Sequence, residues 1–268
     1  MYQSYFTGLC WDEKGHMELT NPGSEVPIYW VSVLICGCII VYVILRAVYK
    51  TKMSKEWRIN EPILLITAHP DDECMFFAPF LLSMKAMKVK VDLLCLSRGD
   101  YYGSGEQRLQ ELHNSVRVLG INRVKVVNDP LLPDDPSVAW PLDKTTKYIR
   151  SAAKEWQSKL LVTFDSYGVS GHKNHRQIYA AVREFCALEK YFKAVMLRSH
   201  FTVLKYCLPL SLFLTCFHSP VLTFYSPFWS IFSAHKAMLQ HRSQLVWFRY
   251  LYIVFSFYMY GNTFKVFR

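Results

Sequence analysis

The sequence predicts an α/β fold: a mostly parallel, Rossmann-like sheet with helices on both faces, preceded by one N-terminal transmembrane helix. An uncharged run of twenty residues lies near the N-terminus, and short apolar runs alternate with helix-like segments through the middle of the chain. Polar clusters follow the ends of the predicted strands. The 268 residues are 51% hydrophobic and 19% charged, a composition that can bury a large core and excludes a wholly disordered chain.

The uncharged run covers residues 26–45, which as a helix is about 30 Å long, enough to cross the hydrocarbon core of a bilayer. A cleavable signal peptide is disfavoured because no basic stretch precedes the run and no small-residue cleavage site follows it. A buried core helix is the other alternative. Acidic residues dominate before the run and Lys and Arg after it, which predicts a lumenal N-terminal tail and a cytosolic remainder.

These observations divide the chain into five parts. We predict a lumenal tail (1–25), a transmembrane helix (26–48), a basic linker (49–60), an α/β domain (61–198) and an aromatic, basic C-terminal helical region (199–268). The eight cysteines form no C-x-x-C pair and no regular framework, so neither a zinc ribbon nor a disulfide scaffold is supported. We expect reduced thiols in a cytosol-facing domain.

The middle of the chain consists of repeated strand–helix units. The predicted strands are 63–69, 89–97, 124–128 and 160–164, and the predicted helices are 75–87, 108–119, 142–157 and 177–188. Such units form parallel sheets, and parallel sheets bind ligands beyond the carboxyl ends of their strands. We therefore expect a functional site where the polar clusters follow the strands.

The first cluster, His69-Pro70-Asp71-Asp72-Glu73, comes directly after the first strand. A His and an Asp three residues apart across a tight turn can face one divalent ion. Helix capping is the alternative, but a cap needs one acidic residue rather than three with a His. The second cluster spans residues 165–175 after the fourth strand and carries His172 and His175. His69, Asp72 and one further His would be three protein ligands with an open position for water, the pattern of catalytic zinc.

A third cluster, residues 97–111, is a Gly-rich loop that opens a helix and could hold an anion on its backbone N–H groups. It lacks the Walker pattern, so a nucleotide site is not supported. Arg108 fits equally well as a substrate-binding cation or as an i,i+3 ion-pair partner of Glu111. Turn chemistry adequately explains the acidic segment 128–135.

In this order the clusters resemble the LmbE-like zinc deacetylases and, among them, the eukaryotic PIG-L type. The matching segments are A-H-P-D-D-E (68–73), L-S-R-G with G-x-G-x-x-R-x-x-E-L (96–112), N-D-P (128–130), T-F-D-x-x-G-V-S-G-H-x-N-H (163–175) and H-R-S-Q-L-V-W-F-R-Y-L-Y (241–252). The resemblance implies an LmbE-like fold for the α/β domain. It also implies removal of the acetyl group from N-acetylglucosaminyl-phosphatidylinositol (GlcNAc-PI), which yields glucosaminyl-phosphatidylinositol and acetate, an early step of GPI anchor synthesis.

The resemblance also assigns site residues and a location. It implies that Zn²⁺, or another divalent metal such as iron, is bound by His69, Asp72 and His175, that Asp71 and His172 are catalytic, and that Arg108 and Asp165 bind substrate. Asp71 would be the general base, and His172 would stabilise the transition state. The implied location is the endoplasmic reticulum membrane, with a single span and a cytosolic catalytic domain.

The C-terminal residues 197–268 contain seven Lys or Arg, nineteen aromatic residues and no Asp or Glu. They are consistent either with a helical layer packed on the sheet or with a surface resting on the bilayer. The formal charge of +10 indicates an anionic partner, and because no nucleic-acid-binding motif occurs, we assign it to the lipid bilayer rather than to nucleic acid. No protein partner can be identified.

Two alternative functions remain open. The domain could remove acetyl groups from another N-acetyl sugar, because a zinc site alone does not select the sugar. It could also be a non-catalytic, membrane-tethered scaffold. The intact set of His and Asp residues argues against a scaffold, since a non-catalytic relative has no physical need for a costly cluster of like charges.

Overall fold

The computed structural model describes residues 9–11, 17–19, 25–56, 61–217, 222–226 and 228–267. The chain forms two compact units, residues 1–42 and 43–268. Most of the predicted lumenal tail and residues 57–60 of the predicted linker lie outside the described residues. Within the tail, β1 (Leu9–Trp11) and β2 (Met17–Leu19) pair antiparallel.

The N-terminal apolar run forms part of one long helix, α1 (Glu25–Glu56). The stretch Ile28–Leu45 is long and apolar enough to span a membrane, and within the described ranges no other helix meets that condition. Pro27 lies in the first turn, where its missing N–H costs no hydrogen bond. The helix extends beyond the predicted end at residue 48, through most of the basic segment that we predicted to be a linker.

A seven-stranded sheet forms the centre of the second unit. Its strands are β3 (Ile63–Thr67), β4 (Val91–Cys95), β5 (Arg123–Val126), β6 (Leu160–Phe164), β7 (Lys193–Leu197), β8 (Leu222–Tyr225) and β9 (Gly261–Phe267). They lie in the order β5-β4-β3-β6-β7-β9-β8. The first five are parallel, and β9 pairs antiparallel with both β7 and β8. The mostly parallel sheet predicted from the sequence is confirmed.

Ten helices of the second unit lie within the described ranges. They are α2 (Asp72–Phe76), α3 (Ala78–Ala86), α4 (Gly105–Leu119), α5 (Leu142–Glu155), α6 (Gly168–Gly171), α7 (Lys173–Leu188), α8 (Thr202–Tyr206), α9 (Leu208–Phe217), α10 (Ile231–Met238) and α11 (Trp247–Phe255).

Alternate residues of the strands serve the two faces of the sheet. Ile63 and Leu65 pack into one core with residues of α2, α3, α4 and α10, whereas Leu64 and Ile66 pack into a second core with residues of α5 and α7. Both faces of the sheet are therefore covered, as the apolar strand sequences predicted.

The predicted helix 75–87 is instead two helices. It begins earlier, at Asp72, and breaks at Phe77, whose φ of −121° is not helical. The cause is Pro79: inside a continuous helix, its ring would clash with the carbonyl four residues earlier. At the start of α3 that clash does not arise. The break leaves α2 as a short helix directly after the first polar cluster.

The prediction of a purely helical C-terminal region at 199–268 was wrong, because β8 and β9 lie in this region and join the sheet. The boundary at residue 198 was wrong for the same reason, since the compact unit continues to the C-terminus. Phe264 of β9 packs with ring centroids 5.4 Å from Phe80 and 5.6 Å from Phe224. Aromatic residues also favour strands, and a short apolar run does not reveal by its periodicity which element it forms.

Replacing Phe80 by Ala should destabilise the second unit strongly. Its ring is fully buried, with the Phe224 ring at 5.1 Å, so Phe80→Ala should lower the free energy of unfolding by about 3–5 kcal/mol. The exposed Phe232→Ala is the control, with an expected change within about 0.5 kcal/mol. Denaturant unfolding of the detergent-solubilised chain measures both, and equal effects would contradict the packing.

Candidate active site

The first polar cluster forms a strained turn between β3 and α2. Asp71 has φ 129°, a left-handed conformation that costs a non-glycine residue about 1–3 kcal/mol. Its backbone N–H donates to Glu73 Oε2 at 3.0 Å, and its carbonyl accepts from the Met75 N–H at 2.9 Å. These bonds hold the buried Asp71 in a conformation that it would not otherwise adopt.

The second cluster forms the loop between β6 and α7. Gly168 has φ +65°, and a Cβ there would lie 2.8 Å from Cβ of His175, so the close approach requires glycine. The Nδ1–H of His175 donates to the Gly168 carbonyl at 3.1 Å, which leaves Nε2 with a free lone pair. His172 is the N-cap of α7, and its Nδ1 accepts from the backbone N–H of Asn174 at 3.3 Å.

The fold brings the two clusters together. The ring centroids of His69 and His175 lie 5.7 Å apart, and the His172 centroid lies within 5 Å of each of them, at 4.9 and 4.8 Å. Asp72 lies beside this group: its Oδ1 is 3.2 Å from His175 Nε2, and its Oδ2 is 3.8 Å from His69 Nδ1. The structure thus brings together residues that are about 100 positions apart in the chain.

The donors of this group fit a divalent metal ion. Nε2 of His175 is buried and makes no hydrogen bond, although Asp72 Oδ1 is close to it. An uncommitted imidazole nitrogen beside a carboxylate oxygen is the arrangement that a metal ion requires, and His and Asp are ligands that zinc accepts. The ligand atoms of His69, His172 and His175 also lie within 4.8 Å of one another.

The two adjacent aspartates have pKa values displaced in opposite directions. Burial alone would raise the pKa of Asp72, but the adjacent His175 and His69 rings and the backbone N–H of His69, which donates to Oδ2 at 2.9 Å, outweigh it and hold that pKa well below its usual range. Burial raises the pKa of Asp71, and the charges of Arg249 and Arg108 offset only part of the rise. Asp72 is therefore suited to remain an anionic ligand, whereas Asp71 is suited to accept and release a proton.

Arg108 lies in the site, buried, and is not paired with Glu111. Its guanidinium donates to Asp134 Oδ2 at 3.0 Å and to the carbonyls of Gly99 and Pro70 at 3.0 and 2.8 Å. Glu111 instead accepts from Ser243. Of the two interpretations of Arg108, the helix-surface ion pair is wrong.

Asp134 belongs to the site, so turn chemistry was an incomplete explanation of segment 128–135. Its Oδ1 lies 2.9 Å from His69 Nε2, and this carboxylate is the main reason why the pKa of His69 is raised although burial opposes the change. Asp134 therefore joins Arg108 to His69. The available signal was its position shortly after β5, at the same edge of the sheet as the other clusters.

Asp165 braces the loop that follows β6. Its Oδ2 accepts the backbone N–H of Ser199 at 2.7 Å, and its Oδ1 accepts the Ser199 hydroxyl at 2.6 Å and the Gly168 N–H at 3.1 Å. It is not among the residues that line the cavity described next. The substrate-binding role of Asp165 stays a prediction, and these contacts indicate a structural role instead.

A cavity of about 690 Å³ opens onto the histidine group. Its wall contains the polar residues His69, Asp71, Asp72, Arg108, Asp134, His172, His175, Lys205 and Arg249, and the apolar residues Met75, Phe76, Trp247, Phe248, Leu251 and Phe255, among others. Such a size, with a few convergent polar groups in an apolar wall, is typical of a small-molecule site.

The C-terminal region adds two cations to the site that the sequence motifs did not single out. Arg249 lies 3.4 Å from Asp71 Oδ2, and Lys205 lines the cavity. The sequence does contain a signal for Arg249, because this residue lies within the matched segment 241–252 and is a single cation in an apolar run.

A buried ion pair between Glu73 and His241 stabilises the strained turn. Glu73 is fully buried and accepts from His241 Nε2 at 2.8 Å and from the Ser115 hydroxyl at 2.5 Å, while its other oxygen holds the Asp71 N–H. Burial would raise the pKa of Glu73, but His241 lowers it below the usual range. Glu73, Cys74 and His241 form a second group of possible metal ligands. Burial raises the pKa of the Cys74 thiol and disfavours the thiolate that a metal needs, so we interpret this group as structural rather than metal-binding.

The fold and the site define a class of protein: an amide hydrolase of the deacetylase type, built on a Rossmann-like sheet. A family model described as PIG-L, GlcNAc-PI de-N-acetylase, matches residues 64–186. The N-acetylglucosaminyl-phosphatidylinositol de-N-acetylase of Bos taurus is 43% identical over 75% of this chain and 81% of its own length. A probable enzyme of the same name from Dictyostelium discoideum is 30% identical over 76% of this chain and 93% of its own length.

The chain belongs to the PIG-L family. Among solved structures, the N,N'-diacetylchitobiose deacetylase of Pyrococcus horikoshii superposes with a TM-score of 0.60 and 17% identity, covering 83% of this chain and 90% of that one. At that identity the likeness supports the fold alone, and it confirms the LmbE-like architecture.

Each single replacement in the Glu73–His241 pair should destabilise the protein, and the two effects should not add in the double variant. Glu73→Gln or His241→Gln alone leaves one buried partner uncompensated and should lower the free energy of unfolding by about 3–5 kcal/mol. The double variant should lose clearly less than the sum of the single losses. A double-mutant cycle by denaturant unfolding measures the coupling, and strict additivity would show that the two side chains do not interact.

Proposed function

We propose that this protein is a zinc-dependent de-N-acetylase of GlcNAc-PI that releases acetate and glucosaminyl-phosphatidylinositol in GPI anchor synthesis. The observation that carries the proposal is the convergence of His69, Asp72 and His175 beside Asp71 at the base of one cavity. The names of the relatives supply the substrate, and the site supplies the chemistry of amide hydrolysis.

The proposed ligands are His69, Asp72 and His175. Zinc bound there would polarise the acetyl carbonyl and lower the pKa of a bound water, a role that iron or another divalent metal could share. Asp71 takes the proton from the attacking water, a task that suits a carboxylate whose pKa burial has raised. Arg249 and Arg108, 3.4 and 3.8 Å from its oxygens, orient this carboxylate.

The proposed role of His172 is to stabilise the oxyanion of the tetrahedral intermediate. Burial and the neighbouring imidazoles lower its pKa to about 4, which favours the neutral ring. Because Nδ1 of His172 accepts the Asn174 N–H, the neutral ring carries its proton on Nε2 and donates from that atom. Asp71 then delivers its proton to the glucosamine nitrogen as the C–N bond breaks, and acetate leaves.

We further propose that α1 anchors the enzyme in the endoplasmic reticulum membrane as a single span. The apolar stretch Ile28–Leu45 has the required length, and the Lys and Arg residues that follow it favour a cytosolic catalytic unit. A membrane-anchored enzyme meets a lipid-linked sugar in the same surface, so the anchor suits the proposed substrate.

The function is tested by acetate release from GlcNAc-PI. The full-length, detergent-solubilised chain should release labelled acetate, a chelator should abolish release, and added Zn²⁺ should restore it. Release from free N-acetylglucosamine or diacetylchitobiose, but not from GlcNAc-PI, would identify another N-acetyl sugar as the substrate. No release from any of them by metal-loaded protein would favour the scaffold.

The base assignment is tested by Asp71→Asn, which removes the proton acceptor with little change in volume. We expect kcat to fall at least ~100-fold while the bound metal, measured by elemental analysis, stays at the level of the unmodified chain. The exposed Asp143→Asn is the matched control and should keep full activity. Substantial activity in Asp71→Asn would reject Asp71 as the base.

A further inference from the structure

Lys205 is a buried cation in the cavity wall, and no carboxylate partner for it occurs among the described residues. Its side chain is buried, and its Nζ donates to the Ser170 hydroxyl at 3.1 Å. Its other neighbours are aromatic: Nζ lies 5.3 Å from the ring centroid of Tyr206, 5.7 Å from that of Tyr252 and 6.0 Å from that of Phe76. Among the residues that the structure describes, no carboxylate oxygen lies within 4.0 Å of this ammonium group.

A buried ammonium group without a counter-charge is costly, because burial removes most of its hydration. Burial and the nearby charge of Arg249 lower the pKa of Lys205 to about 8, so the group is still mostly charged at neutral pH. Aromatic faces stabilise a cation only in part. A charged group in a cavity wall, with most of its hydration removed and no carboxylate among the described residues to compensate it, can bind an anion that enters the cavity.

The position of Lys205 relative to the histidine group indicates which anion it would meet. The Phe76 ring is near both groups, with its centroid 5.8 Å from the His175 ring and 6.0 Å from Lys205 Nζ, so the ammonium is no farther from the His175 ring than these two distances together. This upper limit leaves room for as many as two sugar-sized rings between the ammonium and the reaction centre. In GlcNAc-PI, one glucosamine ring and one inositol ring stand between the acetamido group and the phosphodiester.

We propose that Lys205, together with the Ser170 hydroxyl, forms the subsite that binds the phosphodiester anion of the glycolipid substrate. The inference rests on the proposed function. Ser170 lies in the same loop as His172, so an anion held here also fixes the substrate relative to that imidazole. Trp247, Leu251 and Phe255 line the same cavity with apolar surface suited to the lipid part.

The test compares two substrates that differ by one methyl group, which removes the negative charge of the phosphodiester. One is GlcNAc-PI, and the other is its methyl phosphotriester, which is neutral; both are presented in neutral detergent micelles so that no other phosphate is present. The preference is the ratio of the two kcat/KM values, and the corresponding ratio of Kd values is measured with fluorescent forms of the same lipids. Because binding needs no turnover, the subsite is tested even if the protein proves inactive on GlcNAc-PI.

Lys205→Met should lower the preference for the charged lipid about tenfold, the effect of losing one charge-assisted hydrogen bond, and Lys205→Arg should retain most of it. Lys147→Met is the matched control, because Lys147 is an exposed lysine of α5 outside the cavity, and it should leave the preference unchanged. If kcat/KM and Kd change equally for both lipids in Lys205→Met, the preference is unchanged and the proposed subsite is wrong. Denaturant unfolding identifies variants that have lost their fold.

Discussion

The constraint on which the site depends is the burial of three consecutive acidic residues, Asp71–Glu73. Each has a cationic or imidazole partner from a distant part of the chain: Arg249 for the first, His175 for the second and His241 for the third. An uncompensated carboxylate at any of these positions would be too costly to bury. The same contacts that make the loop tolerable therefore also draw α7 and the C-terminal region against α2.

The C-terminal region complements the acidic loop in charge. It contains no Asp or Glu, and its segment from 241 to 249 supplies His241 and Arg249 to the carboxylates of the loop after β3. The cations are not a surface feature alone. Lys205 and Arg249 line the cavity, so part of the basic excess that we assigned to the membrane lies inside the site.

Local sequence predicts the parts of this protein that local physics determines. The buried parallel strands were found because their apolar runs are short and continuous. The convergence of His69, Asp72 and one further His was predicted because polar residues at strand ends lie at one edge of the sheet, and only the family resemblance identified that His as His175. Asp134 was missed because an acidic residue after Pro has an adequate local explanation as a turn. The strand β9 was missed because aromatic runs fit helix and strand alike, and only its pairing with β7 distinguishes them.

The large distance along the chain from β3 to Arg249 and β9 bears on how the protein is made. A ribosome completes β3 and its acidic loop long before it has synthesised the residues that neutralise the loop and close the edge of the sheet. The nascent chain must therefore leave that loop hydrated and open until those residues have been synthesised. Early termination of translation would yield a polypeptide that carries every proposed zinc ligand and still has no stable site.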